Sequence, residues 1–347
     1  MTAPLRFLTL SAERRALAFG QTAAVIGGSS VMVEKDFWVC WLLALLFDDA
    51  ELAPHVVFKG GTSLSKVFGV IDRFSEDIDL SLSPAFVGAD EAAFDALTSR
   101  TRRDSALDAM QQLCGACARQ TVAPRLEATI AAQLGRRSAG ESWLSCEDDP
   151  VARSPVLYFH YPTAQAAGFD YLRRAVKLEL GSLTDQQPTG RHAVRPWVAD
   201  AFADAFGDWH CEVTALDLGR TFWEKATILH AEHHRPTELA MPDRYARHYA
   251  DMARLLLHPR GDDMLADHAL CRRVVHWKSR VFARQWARYD LAVPGSFRLI
   301  PPPSRLDALK RDYARMQPMF LSTPPAFDEL LAQLQAAEDR LNTMDRT

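Results

Sequence analysis

Two short segments of this sequence, residues 59–66 and 76–82, constrain its fold and chemistry more than any other part. The first reads KGGTSLSK and follows the apolar run of residues 56–58, a pattern that predicts a short buried strand, a tight glycine turn and a helix. The start of such a helix carries unpaired backbone N–H groups and a partial positive charge, to which the hydroxyl groups of Thr62 and Ser63 add. This segment is therefore predicted to bind a triphosphate.

The second segment, EDIDLSL, supplies two carboxylates. In an extended chain, residues two apart point the same way, so Asp77 and Asp79 are expected to project toward a common point. Two close carboxylates repel each other unless a cation lies between them, and oxygen ligands of this kind suit Mg²⁺ that bridges to phosphate. A glycine turn alone is typical of a loop, and Asp-x-Asp alone is typical of a surface strand. Both together, in this order, predict a nucleotide-transfer site.

The glycine segment is not a Walker-type phosphate loop. That motif needs G-x-x-x-x-G-K-[ST], whereas here Ser65 stands immediately before Lys66. Gly60 and Gly61 are predicted to hold phosphates through backbone N–H groups. Lys66 is predicted to add positive charge where negative charge builds during transfer.

A site in which a metal ion activates the attacking hydroxyl needs a further acidic ligand, and Glu179, on another predicted strand, is the candidate. Residues 176–181 read VKLELG, in which polar and apolar residues alternate, so Lys177 and Glu179 share one face of a strand. Glu179 is predicted to be the third metal ligand, and Lys177 is predicted to contact the nucleotide. A solvent-facing strand pair is the simpler alternative. An unpartnered carboxylate would be costly in a short apolar strand, which favours the functional interpretation.

Lys225, in the second half of the chain, is predicted to need a negatively charged partner. Residues 220–225 read RTFWEK and start a helix in which Thr221 and Glu224 fit a capping box. Lys225 lies near a face that its apolar neighbours predict to be buried, so its ammonium group needs a phosphate or a carboxylate. Arg73, just before the carboxylate segment, could likewise contact a phosphate or a nearby carboxylate.

These residues resemble the AbiEii/AbiGii nucleotidyltransferase toxins of bacterial toxin–antitoxin and phage-defence systems, which belong to the DNA polymerase β-like superfamily. The resemblance is carried by residues 58–66 and 74–80 and extends to residues 34–39, 220–226 and 247–251. It implies an α+β fold, in which a mixed polymerase β-like nucleotidyltransferase sheet is flanked by helices and followed by a C-terminal helical domain.

The resemblance also implies roles that spacing alone does not assign. A lysine of the family's helix motif contributes to the active site, and Lys225 is the matching position. Asp251 matches the aspartate-bearing helix motif, but family members often have Asp where this chain has His248, which leaves open which residue takes that role. Arg244, His248 and Asp251 would share one helix face, and a helical ion pair is the alternative. For residues 34–36 the default interpretation is a helix start with a favourable acidic first turn, and the resemblance offers contact of Lys35 with the nucleotide as the alternative.

The predicted reaction moves a nucleoside monophosphate from a nucleoside triphosphate, ATP or GTP, to an acceptor hydroxyl, with Mg²⁺ or Mn²⁺ as the cofactor. By resemblance, the acceptor is the 3′ end of tRNA, and the protein is a toxin whose cognate antitoxin is encoded nearby. One fold serves several acceptors, so nucleotidylation or phosphorylation of a protein or a small molecule is the second hypothesis. An inactive nucleotide-binding regulatory module is the third, although both carboxylates of the Asp-x-Asp pair are present.

Length and composition are those of an ordinary globular protein. A chain of 347 residues, 48% of them apolar, can bury a sizeable core. The longest apolar stretch, residues 37–47, is too short to span a bilayer and predicts a buried amphipathic helix with Phe37, Trp41 and Leu45 on one face. The N-terminus shows no secretory signal, so a cytoplasmic protein without membrane association is expected.

The cysteine spacing and the net charge limit which metal sites and which nucleic-acid contacts this chain can form. The six cysteines fit no small-domain disulfide pattern, and Cys114 and Cys117 are predicted to be small buried thiols on a helix rather than a metal or redox pair. A formal net charge of −4 means that a nucleic acid would bind only local basic patches. Such patches, which could equally be solvated helix faces, comprise Arg100, Arg102 and Arg103 in one helix, Arg136 and Arg137 in a loop, and Arg272, Arg273, Lys278, Arg280 and Arg284 with Trp277 and Trp286 in a late helix.

The domain organisation is predicted from the order of these patterns. Residues 1–50 form N-terminal helices that pack on the catalytic domain. Residues 51–220 form the nucleotidyltransferase domain, with strands at 56–58, around 79, at 156–161, 175–180 and 211–216, and a helical insertion near 90–135. Residues 221–347 form a C-terminal helical domain, interrupted near 259–263 and 301–303.

Overall fold

The computed structural model describes residues 2–138, 140–149, 154–165 and 173–343. The chain divides into two compact units. The sheet unit comprises Met1–Val67 and Phe74–Leu216, and the helical unit comprises Phe68–Arg73 and Asp217–Thr347. The chain therefore leaves the sheet unit between the glycine segment and the Asp-x-Asp segment and returns to it at Phe74.

The sheet unit is built on a seven-stranded mixed sheet with the order β3-β4-β5-β2-β1-β7-β6. β2 is its middle strand, antiparallel to β1 and parallel to β5. β1 is parallel to β7, and each edge is closed by an antiparallel pair, β3 with β4 and β6 with β7. The strands are β1 Val56–Lys59, β2 Ile78–Leu82, β3 Leu144–Asp149, β4 Ser154–Phe159, β5 Val176–Gly181, β6 Thr189–Val194 and β7 Cys211–Leu216.

Nine helices belong to the described part of the sheet unit. A helical insertion between β2 and β3 is continuous from α6 through a π-helical segment, Ala118–Val122, into α7, as the sequence predicts for residues 90–135. Cys114 is buried and Cys117 partly buried on α6, in agreement with the predicted thiols. The helices are α1 Ala3–Leu8, α2 Ala12–Ile26, α3 Ser30–Asp48, α4 Gly60–Lys66, α5 Glu91–Asp95, α6 Arg100–Cys117, α7 Ala123–Leu134, α8 Trp197–Ala201 and α9 Ala203–Phe206.

The third helix, α3, is the centre of the sheet unit's core. Every residue from Val31 to Leu46 is buried, so the prediction of an amphipathic helix with one apolar face is wrong. A helix that is apolar all round is buried on all sides, and α3 packs on α2, α8 and β7. Its Trp38 and Trp41 rings contact Phe159 of β4.

The helical unit contains α10 Leu218–His233, α11 Ala246–Leu257, α12 Gly261–Ala266, α13 His268–Val281, α14 Leu306–Arg315 and α15 Phe327–Thr343. The first of these, α10, starts earlier than the sequence pattern predicts. Asp217 caps it by accepting a hydrogen bond from the N–H group of Gly219, and Thr221 lies inside the helix. The predicted capping box is therefore wrong. Glu224 instead lies 3.4 Å from Arg220.

The strand predictions hold where apolar residues are concentrated and fail at the sheet edges. β1, β2, β4, β5 and β7 each lie within two residues of the predicted strands. The two edge strands, β3 and β6, are not predicted, because LSCEDD and TGRHAV carry little apolar alternation. Among the described residues, no helix combines the length and the apolar character needed to cross a membrane.

Candidate active site

The glycine turn lies against the carboxylate of Asp79. Gly60 begins α4 directly after β1, and its φ of +81° is the left-handed conformation that L side chains rarely adopt. A Cβ atom at Gly60 would lie 1.8 Å from Oδ2 of Asp79 and 2.7 Å from its Cγ. Only glycine therefore allows both this turn and this close approach of the backbone to the carboxylate.

The sheet register brings Asp79 beside a second acidic residue. Asp79 pairs with Lys59 of β1 on one side and with Glu179 of β5 on the other. Directly paired residues on neighbouring strands project from the same face of a sheet. Asp79 and Glu179 therefore share a face, as the sequence alternation predicts, although the pairing of β2 with β5 could not be read from the sequence.

Asp77 stands just before β2, in a cluster of like charges. Burial, together with the nearby carboxylates of Glu76 and Asp79, raises the pKa of Asp77 to about 6. Glu179 acts in the same direction, whereas the ammonium group of Lys177 opposes them. The ionised form of Asp77 is thus held at an energetic cost that a bound cation would relieve.

Glu179 has a partner of its own. Lys177, two residues earlier on the same strand face, donates a hydrogen bond to Oε1 of Glu179. Burial acts to lower the pKa of Lys177, but the hydrogen bond and charge of Glu179 outweigh it, and the net change is upward. Within the described ranges, no three His, Cys, Asp or Glu side chains are arranged to hold a metal ion. Of the three predicted ligands, Asp77 and Asp79 therefore form an acidic pair, whereas Glu179 forms an ion pair with Lys177.

The hydroxyl groups of the glycine segment point into the protein. Thr62 is buried, and its hydroxyl donates to the carbonyl oxygen of Asp77 and lies 3.0 Å from Oγ of Ser75. Ser63 is fully buried, and its Oγ has no hydrogen-bond partner among the described residues. Neither hydroxyl is positioned as the predicted phosphate donor. Thr62 instead ties α4 to the backbone of the Asp-x-Asp segment.

Lys66 is also directed into the protein rather than toward the carboxylates. Its ammonium group lies 2.7 Å from Oδ1 of Asp36 and 4.8 Å from the ring centre of Trp197, and only 6% of its side chain is exposed. Burial acts to lower the pKa of Lys66, but Asp36 outweighs it, so the net change is upward. Asp36 also accepts a hydrogen bond from the backbone N–H group of Trp197. Lys66 thus fastens α4 to α3 and α8.

The charged triplet of α3, residues 34–36, anchors at least four segments that are distant in the sequence. Lys35 lies 2.7 Å from Glu76 and donates to the carbonyl oxygen of Arg173, and Asp36 binds Lys66. Glu34 accepts hydrogen bonds from Thr163 and from the N–H group of Ala164. The triplet lies in the second turn of α3 rather than at a helix start, so a helix-start function is excluded. The only sequence signal for these anchors was a run of charges inside an apolar helix.

The helical unit holds a separate buried charge cluster around Asp251. Arg73 contacts both carboxylate oxygens of Asp251 at 2.8 Å, and Lys225 contacts Oδ2 at 2.8 Å. Lys225 also donates to Nδ1 of His248 at 3.2 Å. These contacts confirm that Lys225 has a carboxylate partner and assign Arg73 to a carboxylate. Arg244 is not on this helix, because it precedes α11 and has a φ of +59°.

The pKa values of this cluster follow from its charges. Burial acts to raise the pKa of Asp251, but Arg73 and Lys225 outweigh it and hold the pKa well below its usual range. Burial, aided by the charge of Lys225, lowers the pKa of His248 well below its usual value. His248 is therefore a neutral acceptor. Lys225 therefore contacts a carboxylate at Asp251 and a neutral imidazole ring at His248.

Comparisons with known proteins identify the family and the fold. Residues 41–333 match the family model described as nucleotidyl transferase AbiEii toxin, type IV toxin–antitoxin system. No protein with curated functional information matches the sequence. A solved structure, MenT4, a nucleotidyltransferase toxin from Mycobacterium tuberculosis H37Rv, is similar in fold with a TM-score of 0.52 and 17% identity, covering 96% of this chain and 90% of that chain.

The fold and the family match support the same conclusion. The mixed sheet with its many helices and the likeness to MenT4 confirm the predicted α+β nucleotidyltransferase fold. The family model covers most of the chain and confirms the resemblance carried by the glycine and Asp-x-Asp segments. This chain therefore belongs to the AbiEii family of nucleotidyltransferase toxins of type IV toxin–antitoxin systems.

Proposed function

We propose that this nucleotidyltransferase moves a nucleoside monophosphate from a nucleoside triphosphate to a hydroxyl group at the 3′ end of tRNA, in a reaction that depends on a divalent cation. The observation that carries the proposal is the close approach of the Gly60 backbone to the carboxylate of Asp79, with the partly buried Asp77 two residues earlier in the chain. Backbone N–H donors for phosphate and oxygen ligands for a cation are thereby adjacent.

Asp77 and Asp79 fit a divalent cation such as Mg²⁺ or Mn²⁺. Both offer carboxylate oxygens, and burial together with the neighbouring carboxylates raises the pKa of Asp77, a cost of ionisation that a cation would relieve. When bound, the cation would lower the pKa of the acceptor hydroxyl and neutralise the departing pyrophosphate. Glu179 would join the ligands only if it exchanged its hydrogen bond from Lys177 for the cation.

The chain's own groups would bind and orient the triphosphate. The turn at Gly60 and Gly61 would donate backbone N–H groups to the β and γ phosphates, and Lys177 would place a positive charge on the carboxylate face of the sheet. The acceptor oxygen bonds to the α phosphorus, the bond from that phosphorus to the β-phosphate bridge breaks, and pyrophosphate leaves while the hydroxyl proton passes to solvent. Lys66 is not part of this proposed group, because it binds Asp36.

A tRNA acceptor would explain toxicity, because a blocked 3′ end stops translation, and it would place the activity in the cytoplasm. A cognate antitoxin follows from membership of a type IV toxin–antitoxin family. The proposed contribution of Lys225 and Asp251 to the reaction rests on the family resemblance, and a role in phage defence rests on it as well.

The test is transfer of label from each α-³²P-labelled nucleoside triphosphate to total RNA, with RNA and protein resolved afterwards. Wild-type protein with Mg²⁺ should label tRNA. Asp77→Asn should lose transfer by a factor of at least about a hundred, because a cation ligand is lost. Asp104→Asn on the exposed face of α6 is the matched control and should retain full activity.

The fate of the label separates the hypotheses. Label in the protein fraction or in a small molecule would show that the acceptor is a protein or a small molecule rather than tRNA. An Asp77→Asn variant as active as wild type would refute the proposed site. A wild-type protein that binds nucleotide but transfers no label would favour an inactive regulatory module.

A further inference from the structure

Charge is unevenly divided between the two units. The helical unit carries 21 Lys and Arg against 18 Asp and Glu, whereas the sheet unit carries 19 against 26. The helical unit is thus net positive, by three charges, in a chain that is net negative. A polyanion would therefore be attracted to the helical unit, although the whole protein would repel it.

The positive charge of the helical unit is concentrated on one stretch, residues 268–289. This stretch has six Lys and Arg residues and no Asp or Glu. Arg288 is neutralised by Asp290, whose carboxylate it contacts at 2.9 Å. We call the other five cations of this stretch, together with the exposed ring of Phe282, the basic surface. The five cations are Arg272, Arg273, Lys278, Arg280 and Arg284.

The helix α13 displays this surface because of its pattern. Cys271, Val274, Trp277 and Val281 form its buried face and pack it in the helical unit, where α13 lies on α10. The outward positions Arg272, Arg273, His276 and Ser279 are all exposed. They include no row of apolar side chains, such as a protein partner's interface would need at its centre. The outer face is therefore suited to a polyanion.

The helix dipole does not account for these cations. Lys278 and Arg280 lie in the last turn of α13, where cations stabilise the partial negative charge of the helix end. Arg272 and Arg273 lie well before that turn, and no acidic residue stands three or four positions from either. Neither the helix dipole nor an acidic residue one turn away on the same helix therefore accounts for the positive charge at these two positions.

Phe282 completes the surface with a stacking ring. It follows α13 directly, is 42% exposed, and has the ammonium group of Lys278 4.7 Å from its ring centre. An aromatic ring beside cations is the arrangement that holds unpaired bases while the cations bind phosphates.

The other two basic patches of the sequence, unlike residues 268–289, include acidic residues. On α6, Asp104 lies 3.9 Å from Arg100, and Arg103 donates to carbonyl oxygens at the start of the helix. In the loop after α7, Arg137 pairs with Glu141 and stacks on Trp143. Each of these two patches has an acidic residue four positions from one of its arginines, whereas residues 268–289 contain no acidic residue, so α13 is the stronger candidate.

We infer that the basic surface of α13 binds RNA, with the arginines on backbone phosphates and Phe282 stacking on an unpaired base. The inference rests on the proposed function only for the identity of that RNA, which would be the acceptor tRNA.

The test measures equilibrium binding of 5′-fluorescein-labelled total tRNA to the full-length protein at several salt concentrations. Arg272→Gln/Arg273→Gln should weaken binding roughly tenfold near 0.1 M salt and lower the slope of log K against log salt by about 1.5, because each phosphate contact contributes about 0.7–0.9. Phe282→Leu should weaken binding at least about fivefold with an unchanged slope. Arg100→Gln/Arg102→Gln removes the same charge from exposed positions of α6 and should change binding less than twofold.

The outcomes keep this inference apart from the proposed function. Equal losses in both double variants, or no loss in the α13 variant, would overturn the assigned surface. If wild type labels RNA and the α13 variant both binds and labels as well, the surface is wrong and the reaction stands. If wild type binds RNA through α13 but labels none, the surface stands and the tRNA acceptor is wrong. Wild type that binds no RNA refutes the inference.

Discussion

Gly60 and Asp79 are packed so closely that the glycine has no room for a side chain: a Cβ atom at residue 60 would meet Oδ2 of Asp79 at 1.8 Å. This close approach brings the glycine turn against the strand that carries Asp79. Any substitution at Gly60 must therefore displace a carboxylate as well as strain the backbone.

Gly60→Ala should reduce nucleotidyl transfer by at least about a hundredfold, because Asp79 must move from its position. Gly88→Ala is the matched control, since Gly88 has nearly the same φ, +82°, and open space around it. The control should lose about 1–2 kcal/mol of unfolding free energy from backbone strain and keep its specific activity. Urea unfolding and label transfer measure the two effects. Equal activity losses in both variants would assign the effect to strain alone.

Asp77→Asn should abolish transfer and stabilise the cation-free protein. Burial and the neighbouring carboxylates raise the pKa of Asp77 to about 6, so its ionised form is held at a cost near neutral pH, and an uncharged isostere removes that cost. The gain should be on the order of 1–2 kcal/mol in EDTA. Adding Mg²⁺ should raise the melting temperature of wild type more than that of the variant. A variant less stable than wild type in EDTA would contradict the inferred cost of ionisation.

Lys66 and Lys177, both predicted to contact the nucleotide, should differ in the effects of their substitution. Lys66→Met leaves the buried Asp36 without its partner and should cost about 3–5 kcal/mol of unfolding free energy, with the specific activity of the folded protein retained. Lys177→Met should change stability little, because the Lys177–Glu179 pair is partly exposed, and should lower kcat/KM at least tenfold. Lys66→Met/Asp36→Asn should recover much of the lost stability. Loss of kcat/KM in folded Lys66→Met would return that lysine to the active site.

The cluster around Asp251 predicts a second contrast. Asp251→Asn leaves Arg73 and Lys225 buried without a carboxylate and should cost at least about 3–5 kcal/mol. Lys225→Met keeps the Arg73–Asp251 pair and should cost less, so it is the variant in which activity can be measured. Transfer by folded Lys225→Met should fall at least tenfold if the lysine acts on the nucleotide. Unchanged transfer would make Lys225 a structural residue.

A pH-dependent loss of stability is expected from His230. Burial lowers the pKa of His230 to about 4, and its ring bonds the backbone of Arg288 and Arg298. Because the folded pKa lies below the unfolded value of about 6.5, the contribution is constant above pH 6.5 and is lost as the pH falls toward 4, by up to about 3 kcal/mol.

Urea unfolding at pH 7.5 and 4.5 measures this loss. The stability difference between wild type and His230→Gln should shrink at the lower pH, since the variant no longer binds a proton on unfolding. His276→Gln, at an exposed position of α13, should follow wild type at both pH values. A difference that stays constant would show that His230 does not titrate in this range.

The residues of the candidate site could be predicted where their chemistry is local. Gly60 and Asp79 were found because a glycine turn and an alternating acidic strand have short-range signatures. The roles of Thr62, Ser63 and Lys66 could not be predicted, because the direction of a side chain depends on what packs beside it. The edge strands β3 and β6 could not be predicted either, because their sequences carry little of the apolar alternation that marks a strand.

Residue types at fixed short spacing were enough to identify the family, the α+β class and the two segments that carry the chemistry. Which charged groups are ligand candidates and which are anchors depends on contacts that form only in the folded chain. Lys66 and Lys177 look alike in the sequence, yet one is buried against Asp36 and the other lies on the carboxylate face. The physical reason is that a charge removed from water must find a partner, and partners distant in the sequence meet only when the chain folds.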